Sequence, residues 1–471
     1  MTPARIAVLD SLTLLLAAAA LLVWITGGFK TSLADVRLSV TSPLRLVAWA
    51  IALTAIRHIL APRPSIVERI RTGVALWRSS EALAAVLPPF LVTRLAVLFA
   101  GMLAVFAFGL GPDGASFRPS SNEAANLMVR WDTAWYLDVA TDGYRIMPGR
   151  GQQNYAFFPL YPMMVRAGGV LTGGHYLLSG FVISVAAFLG ALLYVHALAR
   201  AYCRDREAAR MAVTLLAMYP FALFFSAVYT ESLFLLCVAG GLYHLHRGED
   251  GRSAAWAFLA GLTRPNGFLL SVPLAALLAA RFWPGSSRLG LRLSSAAPAG
   301  RGLAPRSSIA FLAVIAPLAG MLLYSSYVYT LTGEPFAWAS VQSEWGRRAA
   351  PLTSIVSGPI DRIAEHGLVG TMREWPFDTF NALGAGLALA LMWPVTQRYG
   401  FALGLFVAVN LLPPLLNGGV MAMGRYTSVL FPLFFWLADR VPARQLPYWS
   451  MLFGMGQALA AAMFFTWRQL F

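Results

Sequence analysis

Residues 308–331 read SIAFLAVIAPLAGMLLYSSYVYTL, a run of 24 residues without a charged side chain. A helix needs about 20 predominantly apolar residues to cross the hydrocarbon core of a bilayer, so this run predicts a membrane-spanning helix. Ten further apolar runs predict spans in the same way. They are residues 6–26, 44–60, 84–110, 177–199, 209–227, 232–246, 377–396, 400–417, 422–438 and 447–467. We expect an all-α, polytopic membrane helix bundle with about 11–13 membrane helices in a single domain, 1–471.

The composition supports this fold class. Of the 471 residues, 58% are hydrophobic and 12% are charged, whereas a soluble domain carries about 25% charged residues. Lysine and arginine number 36 against 21 acidic residues, a formal net charge of +15. Excess arginine orients the loops of membrane proteins, and no basic run is interleaved with aromatic residues in a soluble segment. A nucleic-acid partner is therefore not expected.

Two apolar stretches are interrupted. Residues 254–280 are broken by Arg264-Pro265-Asn266-Gly267, and residues 156–172 contain two prolines and an arginine. Between the runs lie two long polar loops, 111–155 and 332–376, and a Gly/Ser/Pro/Arg-rich stretch, 281–307, that reads as a flexible connector.

The distribution of arginine orients the chain. The arginine-rich loops, including the acid-free connector, are expected in the cytoplasm, and both long loops outside. The stretch 254–280 is then a hairpin of two half-helices that enters from and returns to the cytoplasm, since broken backbone at membrane depth needs protein or water around it. The stretch 156–172 is either re-entrant or lies against the outer surface.

Polar groups at the predicted membrane edge are candidates for chemistry. Asp132 lies among aromatic residues, as a sugar site requires, although an interfacial aromatic belt gives the same pattern. Glu231 lies at a span end, as a functional acid or as a snorkelling one. Arg264 at the helix break could hold an anion or form an ion pair with Glu231. Arg425 could bind a lipid phosphate or anchor the chain in the headgroups.

Taken together, the motifs resemble those of the PIG-V-type mannosyltransferase family, which is similar to other GT-C glycosyltransferases. The residues that carry the resemblance, spread over about 94–435, are Arg130-Trp131-Asp132 with Tyr136 and Gly143-Tyr144, then Ala156-Phe157-Phe158-Pro159-Leu160-Tyr161-Pro162, Tyr229-Thr230-Glu231-Ser232-Leu233-Phe234, Arg264-Pro265-Asn266-Gly267 and Arg425-Tyr426. Eukaryotic members often have a histidine shortly after the Trp-Asp pair, where this chain has Trp135-Tyr136.

The resemblance implies inverting transfer of mannose from polyprenyl-phosphate mannose to a lipid or glycan acceptor. Asp132 would be the general base, 111–155 the first catalytic outer loop, and Arg264 and Arg425 the donor-phosphate ligands. The remaining residues implied for sugar or acceptor binding are Arg130, Trp131, Tyr136, Tyr144, Tyr155, Phe158, Tyr161, Tyr229, Glu231, Asn266 and Tyr426. Arginine and alanine dominance suggests a GC-rich genome, and we expect a multi-pass protein of a bacterial inner membrane, surrounded by lipid, with its site facing the periplasm.

Other functions stay open at this stage. Broken helices and a buried arginine also suit a lipid-linked sugar transporter or flippase, but the chain shows no internal repeat and has two long outer loops. A GT-C enzyme with another sugar or a protein acceptor is a further alternative, since fold does not fix substrate. No cofactor is expected. A divalent metal at Asp132, Asp138 and Asp142 is conceivable, but we do not expect one.

Overall fold

The computed structural model describes residues 29–33, 36–40, 42–60, 80–111, 126–127, 129–282, 307–349 and 352–468, with a few isolated positions before residue 80. The predicted span 6–26, residues 283–306 of the connector and residues 112–125 of the first outer loop lie outside the described residues. The chain forms two compact units, residues 1–84 with 166–179 and residues 85–165 with 180–471.

The first unit contains a hairpin and a helix. Strand β1 (Phe29–Leu33) pairs with β2 (Val36–Val40) antiparallel, from Phe29 opposite Val40 to Leu33 opposite Val36. Helix α1 (Pro43–Leu60) coincides with the predicted span 44–60. The hairpin departs from the all-α expectation, because a search for apolar runs of helix length does not detect strands of five residues.

The rest of the described chain is helical. The helices are α2 (Glu81–Phe108), α3 (Thr133–Asp142), α4 (Leu160–Leu171), α5 (Tyr176–Tyr202), α6 (Arg206–Met218), α7 (Glu231–His246), α8 (Asp250–Gly261), α9 (Ser271–Phe282), α10 (Ser307–Thr332), α11 (Ala337–Ser340), α12 (Leu352–Glu374), α13 (Pro376–Tyr399), α14 (Phe401–Gly418), α15 (Met423–Thr427), α16 (Phe431–Arg440) and α17 (Leu446–Phe465). Short 3-10 helices lie at Asn154–Ala156, Pro220–Ser226, Gly267–Leu270, Val341–Trp345 and Ala443–Gln445.

Seven helices in the described part of the chain are long and apolar enough to cross a membrane. They are α1, α2, α5, α10, α13, α14 and α17, and each coincides with a predicted run. The multi-span helical membrane fold is thereby confirmed. The count falls short of 11–13 because 6–26 is not described, α7 has only 16 residues, and two predicted spans are broken.

Both breaks lie next to proline. The run 209–227 divides into α6 and Pro220–Ser226, which are bent by 76° and would make an eighth span if taken as one. Pro220 lacks an N–H and disfavours helical backbone at Tyr219, which adopts ψ 137°. The run 422–438 divides into α15 and α16, with Pro432 in the first turn of α16. Neither run is therefore one continuous helix, and whether the bent pair in 209–227 crosses the membrane stays a prediction.

The predicted interruption in 254–280 is present. Helices α8 and α9 flank the turn at Arg264 and the 3-10 helix Gly267–Leu270. Helix α8 packs closely on α10 because Gly261 lies against the backbone of Pro317, and Gly320 against the carbonyl of Phe258, with no Cβ between them. The side of the membrane from which this pair enters stays a prediction, as does the placement of 156–172, which forms α4.

The two long loops contain helices; they are called outer loops after the predicted orientation, which stays a prediction. Helix α3 occupies part of 111–155, and α11, Val341–Trp345 and α12 occupy most of 332–376. Helix α12 bends at Gly367, which has φ 70°. Apolar runs alone could not show these helices, since each is either short or mixed in polarity.

Candidate active site

The first outer loop places Asp132 at the start of α3. The preceding residue, Trp131, has φ 53°, in the left-handed region that non-glycine residues rarely adopt. The backbone N–H of Asp132 donates to the hydroxyl of Tyr229 at 3.1 Å, and that hydroxyl donates to the carbonyl of Arg130 at 3.1 Å. Strained backbone persists only where its surroundings fix it. The buried tyrosine therefore fixes the turn that directs Asp132.

Asp132 ends a chain of four alternating charges. Its Oδ2 lies 2.6 Å from Nη1 of Arg425, whose Nε lies 2.9 Å from Oε1 of Glu231. The same Oε1 accepts from Nη1 of Arg264 at 2.7 Å. The side chain of Glu231 is 0% exposed and that of Arg264 4%. Two carboxylates and two guanidinium groups thus neutralise one another in a largely buried network.

Two carboxylate oxygens of this network are left for other partners. Oδ1 of Asp132 accepts no hydrogen bond from the described residues, and Asp132 lines a cavity of about 540 Å³. Oε2 of Glu231 is buried and likewise has no hydrogen-bond partner in the described part of the chain. A buried acceptor without a partner is costly, and a hydroxyl group beside it would remove that cost.

The cavity contains both charged and aromatic side chains. Besides Asp132, its charged residues are Arg264, Glu344, Arg347 and Arg425. Three of its rings form one wall: Trp135 is stacked on Phe157 at 5.7 Å, and Trp345 meets both edge-on at 5.7 and 5.8 Å. These three side chains are half-buried. Flat apolar rings at a polar cavity suit the apolar faces of a sugar.

Tyr426 forms another side of the cavity and lies among three cations. The guanidinium carbons of Arg264, Arg347 and Arg425 lie 5.0, 5.3 and 5.9 Å from its ring centroid. Each distance is within the range of a cation–π contact. The guanidinium groups of the three arginines therefore lie close together around one ring.

Tyr136 lies between the aromatic wall and the charge network. Its ring packs edge-on against Phe157 and Tyr161 at 5.1 and 5.3 Å, and its hydroxyl lies 3.3 Å from Oγ1 of Thr230. Burial, with a smaller contribution from the Glu231 carboxylate, raises the pKa of Tyr136 above its ordinary range. The phenol therefore stays protonated and can donate a hydrogen bond to a ligand.

The other acids of the first loop are used to fold it. Asn154 is buried and donates to Oδ2 of Asp138 at 2.8 Å, while Arg145 donates to Oδ1 at 2.5 Å. Asp142 lies 3.7 Å from the same arginine. Within the described residues, no group of three histidine, cysteine or acidic side chains could hold a metal ion. Metal independence stays a prediction.

Seven of the residues singled out from the sequence line the cavity. They are Trp131, Asp132, Tyr136, Phe158, Arg264, Arg425 and Tyr426. Glu231 lies directly behind them, in contact with both arginines. These side chains come from separate parts of the sequence, and the fold brings them together.

Three of the predicted tyrosines lie behind the aromatic wall and form hydrogen bonds that hold it in place. Tyr144 donates to the carbonyl of Phe157 at 2.7 Å, and the carbonyl of Tyr155 accepts from Tyr324 at 2.8 Å. Tyr161 is buried and donates to a backbone carbonyl of α5 at 3.0 Å. None of the three lines the cavity. They position the segment that carries Phe157 and Phe158.

Three further predicted residues have structural contacts. Tyr229 holds the turn at Asp132, as described above. Asn266 donates to Oδ1 of Asn410 at 2.8 Å and so joins the helix break to α14. Arg130 is buried and donates to three backbone carbonyls. They belong to Asn126, Val129 at 2.7 Å and Phe465 at 2.6 Å.

The second outer loop contributes residues that the sequence analysis did not single out. Trp345 completes the aromatic wall and Arg347 adds a third arginine, and Trp135 of the first loop was noted only as a departure from the family pattern. Trp345-Gly346-Arg347 combines an aromatic residue, a turn-forming glycine and a cation. That combination was the available signal.

Comparison with known families finds a match for part of the chain. Residues 118–288 match the family model described as Mannosyltransferase (PIG-V). The match covers 171 of the 471 residues and confirms, over that segment, the resemblance that the motifs predicted. This similarity favours a membrane glycosyltransferase over the transporter alternative. The matched segment includes Asp132, Glu231 and Arg264, whereas Arg347 and Arg425 lie beyond it.

Two solved structures are similar to this chain, and both are oligosaccharyltransferases of Archaeoglobus fulgidus. One, in complex with zinc and sulfate, shows 16% identity and a TM-score of 0.37, covering 81% of this chain and 53% of its own. The other, AglB in complex with an inhibitory peptide and a dolichol-phosphate, shows 13% identity and a TM-score of 0.35, covering 80% and 56%. The chain thus spans about half the length of either. No curated protein matches the chain significantly.

Proposed function

We propose that the chain transfers mannose from a polyprenyl-phosphate mannose to a hydroxyl group of a lipid or glycan acceptor, with Asp132 as general base. The observation that carries the proposal is the position of this carboxylate. One oxygen is held by Arg425 at 2.6 Å, and the other accepts no hydrogen bond from the described residues in a cavity lined by rings and arginines. A positioned base of this kind accelerates transfer by about 10²–10⁴-fold.

The bonding changes balance without a cofactor. The acceptor oxygen attacks C1 of the sugar, and its proton passes to Asp132. The bond between C1 and the phosphate oxygen breaks, and the electron pair leaves with the polyprenyl phosphate. Direct displacement inverts the anomeric centre, so a β-linked donor gives an α-mannoside.

The cations of the cavity suit the charge that develops. The leaving phosphate gains negative charge as the bond to C1 breaks. Guanidinium groups already positioned beside that charge lower the activation barrier of the transfer. Three guanidinium groups lie around Tyr426; those of Arg264 and Arg425 pair with Glu231, and that of Arg347 forms no ion pair with the described residues. The half-buried rings of Trp135, Phe157 and Trp345 would hold the sugar. We place the site on the outer face of a bacterial inner membrane, in keeping with the arginine-rich loops on the opposite side.

The proposal is tested by transfer with purified protein in liposomes. Radiolabelled polyprenyl-phosphate mannose is supplied with a membrane extract as the source of acceptors, and the labelled product is digested with α-mannosidase. We expect a labelled lipid or glycan that releases mannose on digestion. Polyprenyl-phosphate glucose is supplied in a parallel reaction. Transfer from this donor but not from polyprenyl-phosphate mannose, or no transfer from either, would overturn the proposal.

A further inference from the structure

The three arginines around Tyr426 differ in their partners. Arg264 and Arg425 both contact Glu231, and Arg425 also contacts Asp132. A phosphate that took over either arginine would weaken the pairing of a buried carboxylate. Leaving one partner of a buried ion pair uncompensated is strongly unfavourable. These two arginines are therefore suited to positioning the two carboxylates.

Arg347 is placed differently. It lines the cavity and is half-buried, and it forms no ion pair with any residue that the structure describes. Its contact within the site is with the face of Tyr426, at 5.3 Å. The remaining acid of the cavity, Glu344, is exposed, and its carboxylate lies beside Gly151. The charge of Arg347 is thus not neutralised by the network.

The backbone conformation at Gly346 directs the side chain of Arg347 into the cavity. The 3-10 helix Val341–Trp345 ends at Gly346, which has φ 74°, a conformation that glycine adopts at little cost. The chain reverses there, so that Trp345 and Arg347 both reach the cavity from one turn. The ring of Trp345 and the guanidinium group of Arg347 are therefore presented together.

We propose that Arg347 docks the phosphate of the lipid-linked donor, while Arg264 and Arg425 position Glu231 and Asp132. This inference rests on the proposed function. The donor phosphate is a diester with one negative charge, and the departing polyprenyl phosphate is a monoester with more. The planar guanidinium group offers five N–H donors and pairs with phosphate oxygens through two at once. Arg347 binds the donor and also stabilises the charge that forms when the bond to C1 breaks.

The experiment compares Arg347→Gln, Arg347→Lys and the adjacent control Arg348→Gln in liposomes. Arg348 is exposed and does not line the cavity. Steady-state rates give KM for donor and acceptor separately, and inhibition by polyprenyl phosphate gives a binding constant for the leaving group. Arg347→Gln is expected to raise both the donor KM and the inhibition constant of polyprenyl phosphate by about tenfold to 100-fold, because it removes a charge-assisted hydrogen bond. The acceptor KM should not change. Arg347→Lys should be intermediate, and Arg348→Gln within about twofold of wild type.

The outcomes separate the two proposals. If wild-type protein transfers mannose and Arg347→Gln leaves polyprenyl phosphate inhibition unchanged, Arg347 is not the phosphate ligand. If wild-type protein transfers nothing, the proposed function fails instead. Inorganic phosphate and phosphatidylglycerol are tested as competitors. Competition by phosphatidylglycerol that also depends on Arg347 would make this a general headgroup contact and overturn the donor assignment. Thermal unfolding checks that each variant is folded.

Discussion

Replacing Glu231 by glutamine tests the charge network most severely. The side chain is 0% exposed, and its Oε1 contacts Arg264 at 2.7 Å and Arg425 at 2.9 Å. The change removes the charge but keeps the shape, so that two buried cations face Asp132 alone. Breaking a buried pair costs about 3–5 kcal/mol. At roughly 1–2 °C per kcal/mol for a chain of this length, we expect Tm to fall by about 3–10 °C.

The assay is thermal unfolding in detergent, followed by tryptophan fluorescence. Glu344→Gln is the matched control, because this acid is exposed and forms no ion pair with the described residues; it should shift the free energy of unfolding by no more than about 0.5 kcal/mol. The double variant with Arg264→Gln should be less destabilised than the sum of the single changes, by about 0.5–3 kcal/mol. A Glu231→Gln protein that melts within about 1 °C of wild type, with additive effects in the double variant, would refute the network.

Three further outcomes are expected. Trp135→Ala removes the ring stacked on Phe157 and should raise the donor KM by about twofold to tenfold, measured by steady-state transfer, with kcat changed less. Gly346→Ala places a Cβ at φ 74°, which costs about 1–2 kcal/mol and misdirects Arg347, so donor KM should rise while the acceptor KM does not. Prior treatment with EDTA should leave the transfer rate unchanged, and recovery of a lost rate by added Mg²⁺ or Mn²⁺ would contradict this.

The long helices could be predicted from the sequence because a predominantly apolar run of about 20 residues satisfies its backbone hydrogen bonds in a bilayer by forming a helix. The run 308–331 and six others became helices close to their predicted bounds. The turn at Arg264 was also predictable, since Pro265 and Gly267 interrupt a helix locally. Pro220 and Pro432 carried the same signal, and the bends beside them were missed because those runs were judged by hydropathy alone.

The site was predictable only in part, because its contacts join distant parts of the chain. The network links Arg264 to Glu231 across 33 residues and Arg425 to Asp132 across 293. Sequence reasoning named each of these residues, and it offered Glu231 as a partner for Arg264. It could not show that the two arginines share one carboxylate oxygen. Nor could it distinguish Arg347 from the adjacent Arg348, because only the fold shows which side chain enters the cavity.

The most direct test of the central claim is the transfer rate of Asp132→Asn at saturating donor. Asp142→Asn is the control, since that side chain is 63% exposed and its ion pair within the described residues is with Arg145 at 3.7 Å. If Asp132 takes the acceptor proton, the rate falls by about 10²–10⁴-fold while polyprenyl phosphate still binds and the control behaves as wild type. An Asp132→Asn protein that transfers mannose within about twofold of the wild-type rate would contradict the assignment of Asp132 as the base.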